Sequence, residues 1–148
     1  MAFLLNKPLS DISDNESIEN ILKDFAGGWN EHDVKKFSKV FAIDADFTNV
    51  MGVSKQGRTG IEEMHAPLFK TIWAHSILKI SQTKIRFIKS DVAAVDAFWD
   101  LDCLKAPDGT DIPSRNGLLS FIITKQKNSW LITVMHNMDL PESKSQKC

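Results

Sequence analysis

The residues best suited to chemistry gather where the last apolar run ends, in Ser129-Trp130-Leu131-Ile132-Thr133-Val134-Met135-His136-Asn137-Met138-Asp139. An imidazole takes or gives a proton near neutral pH, and a carboxamide both donates and accepts hydrogen bonds. His136 and Asn137 are adjacent on an expected strand, so they point to opposite faces unless a bulge intervenes. The inward one would line a pocket and touch a ligand. It could equally close the sheet end or join two subunits by a hydrogen bond. His65 lies on an apolar helical stripe with Ile61, Met64, Leu68, Phe69 and Ile72, where it is either a satisfied core residue or a pocket group able to do acid–base work. His65 and His136 are therefore the catalytic candidates.

The carboxylates depend on which side of another strand faces in. Ala93, Val95, Ala97, Trp99 and Leu101 alternate with Asp96, Phe98, Asp100 and Asp102. The first set is small and apolar throughout, so it is expected to face inward, placing Trp99 in a pocket wall and the aspartates in solvent. The opposite choice would bury Asp96 and Asp100 as carboxyls of raised pKa. Arg115 opens the next strand, where it could meet an anionic ligand group or pair across strands with Asp100 or Asp102. No His pair at helical spacing and no Cys/His cluster supports a metal site, so none is expected. Gly52-Val53-Ser54-Lys55-Gln56-Gly57-Arg58-Thr59-Gly60 lacks the ending of a phosphate-binding loop, and no cofactor is expected.

These residues need elements to position them. Ser13-Asp14-Asn15-Glu16 has the capping-box pattern, and Ile18, Ile21, Leu22, Phe25 and Trp29 follow at helical spacing, predicting a first helix over 15–30. Gly27-Gly28 inside it implies close packing or a bend. Asp33 is suited to cap a short second helix with the apolar face Val34, Phe37, Val40 and Phe41. Asp44 to Gly52 reads as a strand, and a third helix begins at Thr59. After His75 come long β-branched and aromatic runs joined by turn-like connections. Helices first and strands afterwards predict an α+β domain: three N-terminal helices packed in a strongly curved, mainly antiparallel sheet, leaving a cone between them.

Length and charge narrow the function classes. The 148 residues are 43% hydrophobic, enough for one core. The expected division is an N-terminal extension over 1–14, one domain over 15–140 and a flexible tail over 141–148. A net charge of −1 with scattered basic residues argues against a nucleic-acid surface. The opening apolar run is too short for a signal peptide or a membrane span. Cys103 and Cys148 are distant, lack metal-type spacing and fit a reducing cytosol better than a disulfide framework, so a cytoplasmic location without membrane association is expected.

The segment from Gly28 to Phe69 resembles the opening of the nuclear transport factor 2-like superfamily, and most closely its SnoaL-like branch, related to ketosteroid isomerase and polyketide cyclases. The matching features are Trp29 and Asp33, then Phe41-Ala42-Ile43-Asp44-Ala45-Asp46-Phe47, then Gly57-Arg58-Thr59-Gly60-Ile61 and the helical His65. The ending W-x-I-x-x-x-H-N-T is matched by Trp130, Ile132, His136 and Asn137, with Met138 in place of Thr. The resemblance covers about residues 16–139. It implies the cone-shaped fold, tips the His136-Asn137 pair towards the pocket, and suggests a homodimer built sheet against sheet.

It does not imply steroid isomerisation. That reaction uses a carboxylate base and an oxyanion hole made by a Tyr and a protonated Asp. The base position falls on Asn49, whose amide cannot accept a proton, and the Tyr position falls on Phe25 in a chain with no tyrosine. The function expected is a small-molecule pocket, open to cofactor-independent acid–base chemistry, for a small apolar or polycyclic molecule touched by Trp29, Asn49, His65, Phe69, Trp99, Arg115, His136 and Asn137. The alternative is a non-catalytic binding or dimerisation module whose platform would include Ile80, Leu118, Ile122 and Leu131.

Overall fold

A computed structural model describes residues 9–141 and 148. Among the described residues the helices are α1 (Leu9–Asn30), α2 (Val34–Ser38) and α3 (Gly57–Phe69). Strands β1 (Phe41–Thr48) and β2 (Ser54–Gln56) lie between the last two helices. β3 (Ile77–Lys89), β4 (Val92–Asp102), β5 (Leu104–Lys105), β6 (Asp111–Ile112), β7 (Arg115–Gln126) and β8 (Ser129–Asp139) follow. The α+β architecture is the one expected.

Some boundaries differ. α1 begins at Leu9, so Ser13 lies within the helix instead of capping it. Extending a formed helix by a turn costs little beyond residue propensity. The first strand starts at Phe41 and stops before Asn49, because Asn49 begins a turn. Residues 1–8 of the expected extension and 142–147 of the expected tail lie outside the described residues.

α1 buries Ile18, Ile21, Leu22, Phe25 and Trp29 on one face. Gly28 allows α2 to cross it: a Cβ there would lie 2.5 Å from the Phe37 backbone nitrogen. Asp33 caps α2, its carboxylate accepting from the Lys35 and Lys36 amides at 3.1 Å each.

The main sheet has the order β2-β1-β8-β7-β4-β3, with β1 parallel to β8 and the other pairs antiparallel; β5 and β6 form a separate ribbon. Register breaks interrupt β3 at Gln82, β1 between Phe41 and Asp46, and β8 opposite Ile122 and Ile123. Such bulges bend a strand and increase its twist, which curves the sheet around α1. The inward face carries Val95, Ala97, Trp99, Leu119, Phe121 and Ile132, all buried. Asp96, Phe98 and Asp100 of β4 therefore face outward, as the alternation predicts, but Asp102, expected in solvent, is buried where the strand ends and accepts from Ser114 Oγ.

One end of the cone is shut by a buried polar clasp. Asp14 Oδ1 accepts the Trp130 indole N–H at 3.0 Å and the Lys125 ammonium at 3.2 Å, tying α1 to the hairpin of β7 and β8. At the other end, Cys103 forms a disulfide with Cys148, their Cα atoms 5.3 Å apart. This corrects the expectation of unpaired thiols. Their 45-residue separation in sequence is no measure of distance once β4 and the last residue meet, and the cysteine argument for a reducing compartment falls with it. No helix among the described residues is long and apolar enough to cross a membrane.

Candidate small-molecule site

The floor of the cone is aromatic and holds one neutral imidazole. Ile61, His65 and Phe69 share the buried stripe of α3. His65 is 3% exposed, with ring neighbours Phe37 (4.7 Å between centroids), Phe47 (5.0 Å), Trp73 (6.0 Å) and Trp29 (6.2 Å). Its Nδ1 lies 2.7 Å from the Ile61 carbonyl oxygen. A carbonyl only accepts, so Nδ1 carries the hydrogen and Nε2 keeps a lone pair. Among the described residues Nε2 has no hydrogen-bond partner. Burial pushes the His65 pKa down to about 4 against the raising pull of the Ile61 carbonyl, so the ring is neutral at pH 7.

Trp29 reaches the floor because the end of α1 is pinned to the start of β3. Its Nε1 donates to Ser76 Oγ at 2.9 Å. The Asn30 carboxamide exchanges two hydrogen bonds with the Leu78 backbone, at 2.7 and 2.9 Å. Trp73 packs on Trp29 with centroids 4.5 Å apart, and its own Nε1 is buried without a partner.

The rim is built on the ends of β4, β7 and β8. The Trp99 indole lies across β7 at Gly117, where a Cβ would come within 2.3 Å of the ring and 2.2 Å of the Met138 carbonyl. Trp99 Nε1 donates to Asn137 Oδ1 at 2.8 Å. An indole only donates, so the Asn137 oxygen must face it, and the amide NH2 remains a donor. Arg115 stacks over Trp99 at 5.6 Å and donates from Nη2 to Asp139 Oδ1 at 2.8 Å. The expected cross-strand partners are not used: Asp100 faces outward, and Asp102 accepts from Ser114 Oγ. At the edge, Asn49 Oδ1 accepts the Met51 and Val53 amides at 2.9 and 3.0 Å, shaping the turn that carries Val50 and Met51. That oxygen is consumed, and the Asn49 NH2 also remains a donor.

Between floor and rim lies a cavity of about 310 Å³. Trp29, Asn49, His65, Trp99, Arg115 and Asn137 line it. Phe69 does not. It is buried behind Trp29, with centroids 5.1 Å apart, and supports the wall. His136 is exposed on the outer face, paired in register with Ser120 and Thr48, because Met135 and Asn137 take the inward positions. It is corrected out of the site.

Trp73 and Asp139 line the cavity but were not among the expected residues. Signals for both were present: Trp73 continues the four-residue step Ile61, His65, Phe69, and Asp139 stands two after Asn137 on the same strand face. Among the described residues no three His, Cys, Asp or Glu side chains gather to hold a metal ion.

No protein-family model matches the sequence, and no curated protein matches it. Solved structures match closely in shape. An uncharacterised cystatin-like protein from Caulobacter vibrioides has a TM-score of 0.77 at 22% identity, covering 85% of this chain and 89% of its own. A type 2 hexachlorocyclohexane dehydrochlorinase has a TM-score of 0.84 at 10% identity, covering 94% and 93%. A nuclear transport factor 2-like protein of unknown function from Shewanella oneidensis has a TM-score of 0.72 at 19% identity, covering 85% and 99%. The chain has the cystatin-like, nuclear transport factor 2-like fold, and the resemblance read from the sequence holds at the level of that fold.

Proposed function

We propose that this protein binds a small, mainly apolar molecule in the cone cavity, oriented by the Asn137 amide at the rim and the His65 ring on the floor. The observation that carries the reading is the cavity itself: about 310 Å³ left unfilled beside a close-packed core, walled by aromatic rings and holding a few placed polar groups. That is the general form of a small-molecule site. A cavity plugged by Trp29, Phe69 and Trp99 would have favoured the module reading instead. A protein of similar shape is a hexachlorocyclohexane dehydrochlorinase, so catalysis is compatible with the cone. In this chain the uncommitted base is His65 Nε2, and a pKa near 4 makes it a weak one. Asp139 is engaged by Arg115. Binding is therefore supported ahead of catalysis.

The test is mass spectrometry of ligand released from purified protein, followed by titration of that ligand against the tryptophan fluorescence of wild type and variants. Asn137→Ala should weaken binding several-fold, and His136→Ala should leave it unchanged. The opposite pattern would mean the site is misplaced.

A homodimer also has a specific observation behind it. Three rows cross the outer sheet face: Ala94-Ile122-Val134, Asp96-Ser120-His136 and Phe98-Leu118-Met138. Phe98 and Met138 are 38% and 46% exposed. A second copy related by a two-fold axis would set the Asp96 end of the polar row against the His136 end of its mate, between two apolar rows. Ile80 and Leu131 leave the proposed platform, since both pack against the core. Sedimentation giving only monomer at micromolar concentration would remove the proposal.

A further inference from the structure

We infer that the cavity selects an uncharged ring compound bearing one hydroxyl and, at its far end, a carbonyl-type acceptor. The hydroxyl binds at His65 Nε2 and the acceptor at the Asn137 and Asn49 amides. This rests on the pocket reading above and deepens it by naming a ligand class.

Most polar side-chain atoms of the lining are already spoken for, and the Trp73 indole N–H, buried without a partner, is an unspent donor among them. Asn49 Oδ1 is taken by two backbone amides, Asn137 Oδ1 by the Trp99 indole, and Asp139 Oδ1 by Arg115. Trp29 Nε1 is spent on Ser76. Below the mouth, His65 Nε2 is the one side-chain nitrogen or oxygen acceptor among the described lining residues left uncommitted. It sits amid Phe37, Phe47, Trp29 and Trp73. A ligand group placed there must donate a hydrogen bond or leave the lone pair unmatched. At the mouth the two carboxamides present NH2 groups, which an acceptor on the ligand would match beside the half-exposed Asp139 carboxylate.

Charge is selected against at both ends. The floor holds no cation, because the imidazole is neutral. The Arg115 guanidinium is matched by Asp139 and lies over Trp99. A carboxylate entering the cone would shed its hydration and meet no free positive charge. An ammonium ion would meet no free carboxylate on the floor.

The experiment compares three probes of one skeleton by tryptophan quenching, since Trp29, Trp73 and Trp99 all line the cavity. The probes are 2-acetyl-6-hydroxynaphthalene, its 6-methoxy ether, and 6-hydroxy-2-naphthoate. At pH 7 the hydroxy ketone should bind about ten-fold more tightly than the ether, the value of one well-placed hydrogen bond. It should also bind at least ten-fold more tightly than the carboxylate. His65→Phe should remove the hydroxyl advantage, so that the hydroxy ketone and the ether bind the variant with equal affinity. The wild-type comparison tests the inference even where that variant fails to fold. Equal affinity for hydroxyl and ether, or tightest binding of the carboxylate, would overturn the inference and leave the pocket reading standing. Failure of all three probes to bind would overturn both.

Discussion

Acidifying the protein from pH 7 to pH 4.5 should remove stability through His65 before the carboxylates contribute. In the unfolded chain this histidine titrates near its ordinary value of 6.5, and in the fold burial holds it near 4. Between those values the unfolded state binds the proton and the folded state does not, so stability falls as pH falls. It is fully present above about pH 6.5, and the loss is complete near pH 4. The lowering from 6.5 to about 4 corresponds to about 3–4 kcal/mol. That is a large share of the 5–15 kcal/mol that typically holds a domain together. The assay is urea unfolding followed by tryptophan fluorescence at pH 8, 6.5, 5.5 and 4.5, with His65→Phe as the reference. Phenylalanine keeps a ring among Phe37, Phe47 and Trp29 but cannot titrate. Asp14, held below the usual carboxylate range by the Trp130 indole, and Glu62, held down by Lys35, lose their contributions below about pH 4.5. Both remain in the variant and cancel in the difference. At pH 5 the wild type should have lost about 2 kcal/mol more than the variant. Parallel curves from pH 8 to pH 4.5 would refute the buried, neutral imidazole and the acceptor role built on it.

Asp14→Ala removes the acceptor of both the Trp130 indole and the Lys125 ammonium, so unfolding free energy should drop by about 2–3 kcal/mol in a urea melt, with a shift in Trp130 emission. Gly117→Ala places a methyl group against the Trp99 ring and the Met138 carbonyl. Destabilisation of about 1–3 kcal/mol and a change in ligand affinity should appear together, and a silent substitution would contradict the close approach. Thiol titration of the unreduced, denatured protein should find no free cysteine and, after reduction, two. Cys148→Ser should lower the melting temperature in calorimetry, with about 4 kcal/mol as the chain-entropy scale for a loop of this length.

The sequence read well where one local rule acted alone. In β4 every inward position is small or apolar, so strict alternation placed Trp99 in the wall and Asp96 outside. In β8 the same rule misleads. Alternation from Trp130 and Ile132 would carry Val134 and His136 inward. The register shift opposite Ile122 and Ile123 inserts one residue, and Met135 and Asn137 take the core side. A bulge leaves no compositional mark in Ile-Thr-Val-Met, so its position comes from the sheet's curvature and not from local propensity. Trp73 went unread for a related reason: α3 stops at Phe69, yet the following turn, closed by Trp73 N donating to the Leu68 carbonyl, keeps the indole on the helix's inward side. The disulfide was illegible because nothing in the sequence reports that residue 148 returns to the end of β4.

The likeness in shape to a dehydrochlorinase at 10% identity shows how little the cone alone says about chemistry. Two rim residues make the point. Asn49 stands where an isomerase would carry its base, but its oxygen is consumed in forming the turn it sits on. Arg115 stands where an anion clamp would be useful, but Asp139 from the neighbouring strand has claimed it. In both cases a residue type that suggests one function in isolation is committed elsewhere by a hydrogen bond the fold supplies. What remains uncommitted, the His65 lone pair and the Trp73 indole N–H on the floor with amide hydrogens and the second Asp139 oxygen at the rim, is a smaller set than the lining residues themselves. Because an unmatched buried polar group costs more than a matched one gains, that remainder discriminates among ligands better than the apolar wall does. A change that frees a committed atom should therefore alter specificity more than one that enlarges the wall.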